Sequence, residues 1–209
     1  MLDFSERPAR RTQAQRSAET RSVLLNATIV CLIEHGYAGM STRLVADRAG
    51  LSQGALQGQF KTKAQLVSSA VRYLEEQLLS ELSTISAVPA DPDPQTNAAE
   101  FLDRLWNVYN GPLFVAGLEL LVAARTEPAL KDAVDELTDS IMEHHIAGAR
   151  ALIPDAADHP CFFAWMMQAT TTVHGLALRR LLPRLTVDDN WPPLRSTLLD
   201  SLRTLLDGA

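Results

Sequence analysis

The feature that most restricts the fold is the spacing of apolar residues, which recur every three or four positions along most of the chain. The segment after Thr62 illustrates it, with apolar residues at Leu66, Val67, Ala70, Val71, Leu74, Leu78 and Leu82. This spacing places the apolar side chains on one face of a helix. We find no alternating strand pattern of useful length and no internal repeat. The sequence therefore predicts an all-α protein.

Glycine and proline divide this pattern into separate helices. The first group of helices is predicted at 18–34, 42–49, 53–60 and 63–82. A proline-rich loop follows at 87–95, and further helices are predicted at about 96–110, 112–126, 128–152, 160–183 and 192–207. Gly36 is expected to end the first helix and Gly50 to form a turn. The following helices have hydroxyl caps at Ser41 or Thr42, at Ser52 and at Thr62. We expect a disordered arm at 1–17, a head domain at 18–63 and a body domain at 64–209.

The charge is distributed unevenly between the two ends of the chain. Residues 1–75 carry 10 Lys and Arg against 6 Asp and Glu, a net charge of +4, whereas the whole chain has −6. The remainder therefore carries −10. A basic head on an acidic body is the asymmetry expected when only one end of a protein contacts phosphate groups.

Residues 41–60 have the pattern of a helix-turn-helix. Ala46 allows the second helix to approach the third closely, Gly50 supplies the turn and Leu51 fills the core between the helices. Leu44, Val45, Leu56 and Phe60 complete that core. The other positions of the third helix are small or polar, which suits a helix that lies in the major groove of DNA. An ordinary helical hairpin with a polar face is the alternative.

Residues 21–67, which include this stretch, resemble the DNA-binding domain of the TetR family of transcriptional regulators. The resemblance is carried, without a gap, by the runs Glu34-His35-Gly36-Tyr37, Met40-Ser41-Thr42, Val45-Ala46, Ala49-Gly50-Leu51-Ser52, Gly54-Ala55-Leu56 and Phe60-Lys61-Thr62-Lys63. It implies an N-terminal three-helix DNA-binding domain followed by a C-terminal helical bundle for ligand binding and dimerisation. It also implies a repressor of transcription that a small-molecule effector releases from a palindromic operator.

The resemblance assigns roles to individual residues. Thr42 and Arg43 would contact phosphate or a flanking base. Ser52, Gln53, Gly54 and Ala55 would lie at the floor of the groove, where a glutamine amide can pair with adenine. Lys63, assisted by Lys61, would meet a phosphate at the start of the fourth helix.

One part of the recognition helix departs from the family pattern. The family usually has an aromatic residue where this chain has Gln57, and often His or Tyr where it has Gln59. Gly58, which lies between them, weakens the helix by roughly 1 kcal/mol relative to alanine. We expect DNA binding through Gln57 and Gln59 with altered specificity or lower affinity. A helical ligand-sensing or interaction protein with weakened or lost DNA binding is the alternative.

Large, adaptable side chains on the central helices suit a pocket for an apolar or amphipathic ligand. They are Trp106, Tyr109, Phe114, Leu118, Leu121, Met142, Phe163, Trp165, Met166 and Met167. For each of them, simple core packing is the alternative. The few polar residues among them, one or two of which could orient a ligand, are Glu119, Arg125, His144, His145, Gln168 and His174. Glu119 is either a partly buried functional carboxylate or the solvated side of its helix.

The last two helices are predicted to form the homodimer interface that the resemblance implies. The final helix has a stripe of Leu194, Leu198, Leu202 and Leu205, and the helix before it has one of Trp165, Ala169, Thr172, Val173, Leu176 and Ala177. Two such helices from each subunit would form a four-helix bundle. The alternative is that both stripes pack inward on the same chain.

Other functional classes lack support in the sequence. Paired carboxylates, a nucleophile elbow, a phosphate loop and a cluster of metal ligands are all absent, so we expect no enzyme activity, no cofactor and no metal. His144 and His145 are neighbours and therefore face different directions on a helix. No apolar run is long enough for a membrane span, and the N-terminus does not resemble a secretory signal. Cys31 and Cys161 are expected to be buried thiols in a reducing compartment, which predicts a cytoplasmic protein.

Overall fold

A computed structural model describes residues 12–86, 91, 93–182 and 190–207 as helices joined by turns, without a strand. This confirms the all-α prediction. The helices are α1 (Gln13–Gly39), α2 (Thr42–Arg48), α3 (Gln53–Gln59), α4 (Lys63–Ser86), α5 (Pro94–Tyr109), α6 (Pro112–Ala124), α7 (Pro128–Leu152), the short α8 (Pro154–Ala157), α9 (Phe162–Arg180) and α10 (Trp191–Asp207).

The first helix begins earlier than the sequence analysis predicted. Thr12 and Gln15 form a reciprocal capping box, in which each side chain accepts a hydrogen bond from the backbone N–H of the other. This box satisfies two N–H groups that a helix start leaves unpaired. Residues 13–17, assigned to the disordered arm, are therefore helical with Thr12 as their cap, and residues 1–11 of that arm lie outside the described residues.

The predicted turns and caps of the head are present. Gly36 and Gly50 have φ of 66° and 65°, the left-handed region that favours glycine. The side chains of Ser41, Ser52 and Thr62 accept hydrogen bonds from backbone N–H groups three residues later. Ser41, rather than Thr42, is thus the cap of α2.

The predicted loop at 87–95 ends earlier than expected. Asp93 accepts hydrogen bonds from the backbone N–H groups of Gln95 and Thr96 and so caps α5, which begins at Pro94. A cap followed by proline at the first helical position is a strong helix start. Residues 87–90 and 92 of this loop lie outside the described residues.

Helix α4 joins the head to the body. Its side chains at Leu66, Val67, Ala70, Val71 and Leu74 are fully buried. The helix packs against α1 in the head and against α5, α6 and α7 in the body. One continuous core of buried residues therefore runs from the head into the body.

Helices α5, α9 and α10 form the far side of the body. Trp106 of α5 stacks on Trp191 of α10 with ring centroids 5.1 Å apart. The indole of Trp165 in α9 donates to the carbonyl of Leu198 in α10 at 3.0 Å. An ion pair between Arg195 and Asp103, with an N···O distance of 2.6 Å, adds a polar contact between α10 and α5.

These contacts change the interpretation of the two apolar stripes. Most of their residues are buried or half-buried within the same chain, since α9 packs on α5 and α10. The inward-packing alternative therefore describes the stripes, and an interface that used α9 or α10 would need residues outside them. Cys31 is buried as expected, whereas Cys161 is exposed at the start of α9.

Among the described residues, no single helix is long and apolar enough to cross a membrane. The helices Pro94–Tyr109 and Pro112–Ala124 are together long and apolar enough for a membrane span, but they are bent by 65° to each other.

Candidate DNA-binding surface and ligand cavity

The head contains a compact helix-turn-helix. Val45, Ala46, Leu56 and Phe60 are buried between α1, α2 and α3. The N–H of Leu51 donates to the carbonyl of Ala46 at 3.0 Å, which closes the turn between α2 and α3. The unit thus has the core that the sequence predicted for it.

The first turns of α2 and α3 lie side by side. The amide nitrogen of Gln53 donates to the Thr42 hydroxyl at 3.1 Å, whereas its amide oxygen is buried without a partner among the described residues. Arg43, Ser52 and Gly54 around this pair are exposed. A polar surface that includes both helix starts is therefore open to solvent.

The far end of α3 is held from two sides. The side-chain amide of Gln59 donates to the Ser17 hydroxyl of α1 at 2.9 Å. Lys61 donates to the carbonyl of Gln57 at 3.1 Å, and the Gln57 side chain is exposed. Gln59 thus fixes α3 to α1, while Gln57 is free to face a partner.

The backbone of Tyr37 is held by hydrogen bonds on both sides. We call this arrangement of Tyr37, Glu119 and Lys63 the Tyr37 clamp. Its N–H donates to the Glu119 carboxylate of α6 at 3.2 Å, and its carbonyl accepts from the Lys63 ammonium of α4 at 2.9 Å. That ammonium also lies 4.2 Å from the centroid of the Tyr37 ring. At Gly36 a side chain would collide with Glu119, since a Cβ would lie 2.7 Å from its carboxylate oxygen. The clamp therefore connects α6 and α4 to the end of α1.

A cavity of about 220 Å³ lies in the body among α4, α5, α6, α7 and α9. Its apolar lining consists of Leu78, Val108, Phe114, Gly117, Leu118, Leu121, Val134, Leu137, Ile141, Met142 and Leu178. The polar lining residues are Tyr109, Thr138, His145 and His174. The cavity is thus mostly apolar, with hydrogen-bonding groups that can orient a ligand.

Tyr109 contacts both histidines of the polar lining. The Tyr109 hydroxyl lies 3.1 Å from Nε2 of His145. The Tyr109 ring also packs edge-on against the His174 ring, with centroids 4.1 Å apart. We call Tyr109, His145 and His174 the polar end of the cavity. Burial raises the pKa of Tyr109 and lowers the pKa of both histidines, that of His145 to about 4. All three side chains are therefore uncharged at neutral pH.

Comparison with known proteins identifies the family. The family model described as bacterial regulatory proteins, tetR family, matches residues 24–70. The HTH-type transcriptional regulator Rv2912c of Mycobacterium tuberculosis is 34% identical over 193 residues, which cover 90% of this chain and 97% of the relative. The chain belongs to the TetR family of transcriptional regulators. It is a DNA-binding regulator and not an enzyme.

Further relatives and solved structures agree with this. The TetR regulator is 32% identical to the HTH-type transcriptional regulator CymR of Pseudomonas putida over 180 residues, covering 83% of this chain and 85% of CymR. A transcriptional regulator from Rhodococcus sp. Rha1 has a TM-score of 0.68 at 26% identity, covering 90% of this chain and 97% of that chain. The multidrug binding protein EbrR complexed with proflavin has a TM-score of 0.55 at 23% identity, covering 89% of this chain and 99% of that chain, and shares the fold.

The residues predicted to bind DNA fall into two groups in this TetR regulator. Arg43, Ser52, Gly54, Gln57 and Lys61 are exposed. Thr42, Gln53, Ala55, Gln59 and Lys63 are half-buried. The Lys63 ammonium contacts Tyr37. Burial lowers the pKa of Lys63, and the negative charge of Glu127 partly offsets this shift. Because an ammonium group has three N–H donors, the bond to the Tyr37 carbonyl leaves Lys63 with donors for a phosphate.

The residues predicted to bind a ligand also divide. Tyr109, Phe114, Leu118, Leu121 and Met142 line the cavity. Trp106, Phe163, Trp165, Met166 and Met167 lie outside it. Trp106 and Trp165 are taken up by their contacts with α10, Met166 is fully buried, and Phe163 faces solvent. Size and hydrophobicity alone therefore did not separate cavity residues from core residues.

The structure adds contacts that the sequence analysis left open. Glu119 bonds to the head through Tyr37, so it is the partly buried carboxylate of the two alternatives. Leu78, which was known only as part of the α4 stripe, lines the cavity. Among the described residues, no group of three or more His, Cys, Asp or Glu is arranged to hold a metal ion.

The depressed pKa of His145 predicts how stability depends on pH. Between about pH 6.5 and 4 the unfolded chain takes up a proton that the folded protein cannot, so the folded state loses stability as the pH falls. We expect this group to contribute about 2 kcal/mol to the loss between pH 7.5 and 4.5. Urea unfolding at both pH values should show a smaller loss in His145→Gln than in the wild type.

His144→Gln is the matched control, because His144 is the neighbouring residue on α7 and is exposed. Its stability should fall with pH as in the wild type. An equal loss of stability in His145→Gln and the wild type would show that His145 is not held neutral by the fold.

Proposed function

We propose that this regulator is a homodimeric repressor that binds a palindromic operator and is released from it by a small apolar or amphipathic effector. The observation that carries this proposal is that α4 and α6, which line the cavity, also contact the head. An effector in the cavity therefore meets the two helices that support the DNA-binding surface. The polar surface around Arg43 and Gln53 supports binding of double-stranded DNA. Such a protein acts where the DNA is, in the cytoplasm.

The DNA surface combines a cationic residue with groups that can contact bases. Arg43 is exposed at the start of α2 and suits a phosphate. Gln53 is half-buried, with its amide nitrogen on Thr42 and its amide oxygen buried without a partner, so its amide suits a base edge once it turns outward from Thr42. Gln57 is exposed on the same helix and extends this surface.

Arg43→Ala should weaken operator binding by about 10-fold, because a charged hydrogen bond to phosphate is lost. It should also lower the slope of the logarithm of the binding constant against the logarithm of the salt concentration by about one, since one phosphate contact is lost. The operator is first obtained by selecting bound fragments from genomic DNA with the full-length protein. Gel shifts over a range of salt concentrations then compare the variant with the wild type.

Arg125→Ala is the matched control, since Arg125 is an exposed arginine at the end of α6 in the body. Its operator affinity should equal that of the wild type. If Arg43→Ala also binds as tightly as the wild type, the DNA surface lies elsewhere. Failure of the wild type to enrich any sequence would favour the alternative function, a sensor or interaction protein without DNA binding.

The effector can act on the head by two routes. Leu78 lines the cavity on α4, the helix that begins at Lys63 below the head. Leu118 lines it on α6 and is followed directly by Glu119, which holds the Tyr37 peptide. A displacement of α4 or α6 by an effector therefore changes the Tyr37 clamp. Two heads reach successive major grooves only if they are about 34–36 Å apart, so a small rotation of each head is enough to release DNA.

Glu119→Ala should weaken operator binding about three- to 10-fold without an effector, because the Tyr37 N–H loses its charged acceptor and the head is held less firmly. Glu119→Gln keeps an oxygen that can accept this bond and should restore most of the affinity. Fluorescence anisotropy with labelled operator measures both. Glu143→Ala, an exposed glutamate on α7, is the control. Wild-type affinity in Glu119→Ala would contradict a role of the clamp in holding the head.

The dimer is proposed to form through the outward face of α9. Phe163 on this helix and Leu182 just beyond its end are 57% and 54% exposed although they are large and apolar. Gly175 is also on this helix, and a Cβ there would meet no atom within 4 Å. A small residue in an exposed helix allows the α9 helices of two subunits to approach closely.

Gly175→Gln should separate the dimer into monomers while leaving each chain folded. In a monomer the change replaces a helical glycine facing open space and should stabilise it by roughly 0.5–1 kcal/mol. Light scattering coupled to size-exclusion chromatography measures the mass. Ala147→Gln, which adds the same side chain at an exposed position of α7, should remain dimeric. A dimeric Gly175→Gln would place the interface on another face.

A further inference from the structure

The polar end of the cavity contains two buried nitrogen atoms that have no partner among the described residues. They are Nδ1 of His145 and Nε2 of His174. His145 is only 2% exposed, so water reaches it poorly. A buried polar group without a hydrogen bond destabilises a protein, and each such group calls for an explanation by a missing partner. The two nitrogens belong to residues that line the cavity, where a bound molecule can supply that partner.

The Tyr109 hydroxyl determines what His145 offers to such a molecule. Burial raises the pKa of Tyr109, so the hydroxyl keeps its proton. When it donates to Nε2 of His145, the neutral ring carries its own proton on Nδ1. Nδ1 of His145 is then a donor without a partner, on a residue that lines the cavity. His174 presents Nε2, which in the neutral ring can serve as the acceptor.

Charged ligands are disfavoured by the rest of the lining. None of the described residues that line the cavity is Asp, Glu, Lys or Arg. A carboxylate or an ammonium group at the buried polar end would therefore lose its hydration without finding an opposite charge. Burial lowers the pKa of both histidines, so at neutral pH they supply no positive charge for a carboxylate.

We propose that the effector is an uncharged, mostly apolar molecule with one hydroxyl group, which accepts a hydrogen bond from one histidine of the polar end and donates to the other. This proposal rests on the proposed function of the cavity as the effector site. The size of the cavity limits the apolar part. An apolar cavity of about 150 Å³ holds a benzene-sized molecule. The cavity of about 220 Å³ therefore fits one ring with a short substituent.

Four compounds that differ only in the polar group test the ligand class. They are 4-ethylphenol, ethylbenzene, 4-ethylbenzoate and 4-ethylbenzylamine, titrated into the full-length protein at pH 7.5 in a calorimeter. We expect 4-ethylphenol to bind about 10-fold more tightly than ethylbenzene, since its hydroxyl gains two hydrogen bonds. It should exceed both charged compounds by at least as much. Equal affinity for ethylbenzene, tighter binding of either charged compound, or no binding of 4-ethylphenol would each overturn the proposal.

Variants of the polar end assign the effect to the two histidines. His145→Phe and His174→Phe should each reduce the affinity for 4-ethylphenol towards that for ethylbenzene, while ethylbenzene binds as before. His144→Phe, at the exposed neighbouring position on α7, should bind all four compounds like the wild type. Thermal unfolding without ligand shows whether each variant folds. If His145→Phe does not fold, His174→Phe alone decides. Unchanged selectivity in a folded His174→Phe would overturn the assignment.

A measurement of operator release distinguishes the hydroxyl ligand proposed here from the proposed effector role of the cavity. If 4-ethylphenol binds with the expected selectivity and releases labelled operator DNA, both are supported. If it binds selectively but leaves the operator affinity unchanged, the ligand class is supported and the effector role of the cavity is overturned. If only a charged compound binds and releases the DNA, the effector role is supported and the hydroxyl ligand is overturned.

Discussion

The buried face of α4 is the contact on which the rest of the structure depends. Leu66, Val67 and Ala70 pack in or near the head, and Leu74 and Leu78 continue into the body, all on one helix. Because protein cores are packed as densely as crystals, such a face transmits displacements instead of absorbing them. The head and the cavity are therefore parts of one packed body that α4 joins. Neither can move without displacing this helix and, through it, the other.

The head could be predicted from the sequence because its structure is determined locally. Gly36 and Gly50 have the backbone angles that their positions in the pattern required, and Ser52 caps the helix that follows it. Each of these features depends on residues within a few positions of one another. The start of α1 was missed because its capping box involves Thr12 and Gln15, which were assigned to a disordered arm.

The body was less predictable because its functional residues depend on contacts between distant segments. Trp106 and Phe114 have similar side chains on neighbouring helices, but Trp106 stacks on Trp191 whereas Phe114 lines the cavity. The α9 stripe faced its own chain for the same reason, since Trp165 bonds to α10 across 33 positions of sequence. Helical spacing shows which residues share a face, and it does not show which neighbour that face meets.

The Tyr37 clamp has a consequence for the cavity as well as for the head. Glu119 reaches the head from the helix that carries Leu118 into the cavity, so the head and the cavity share one structural element. Coupling between two binding sites is reciprocal: a ligand that weakens DNA binding by some factor must itself be weakened by DNA through the same factor. Under the proposed function, the operator is thus an antagonist of the effector, and the regulator bound to its operator responds only at a higher effector concentration than the free protein does.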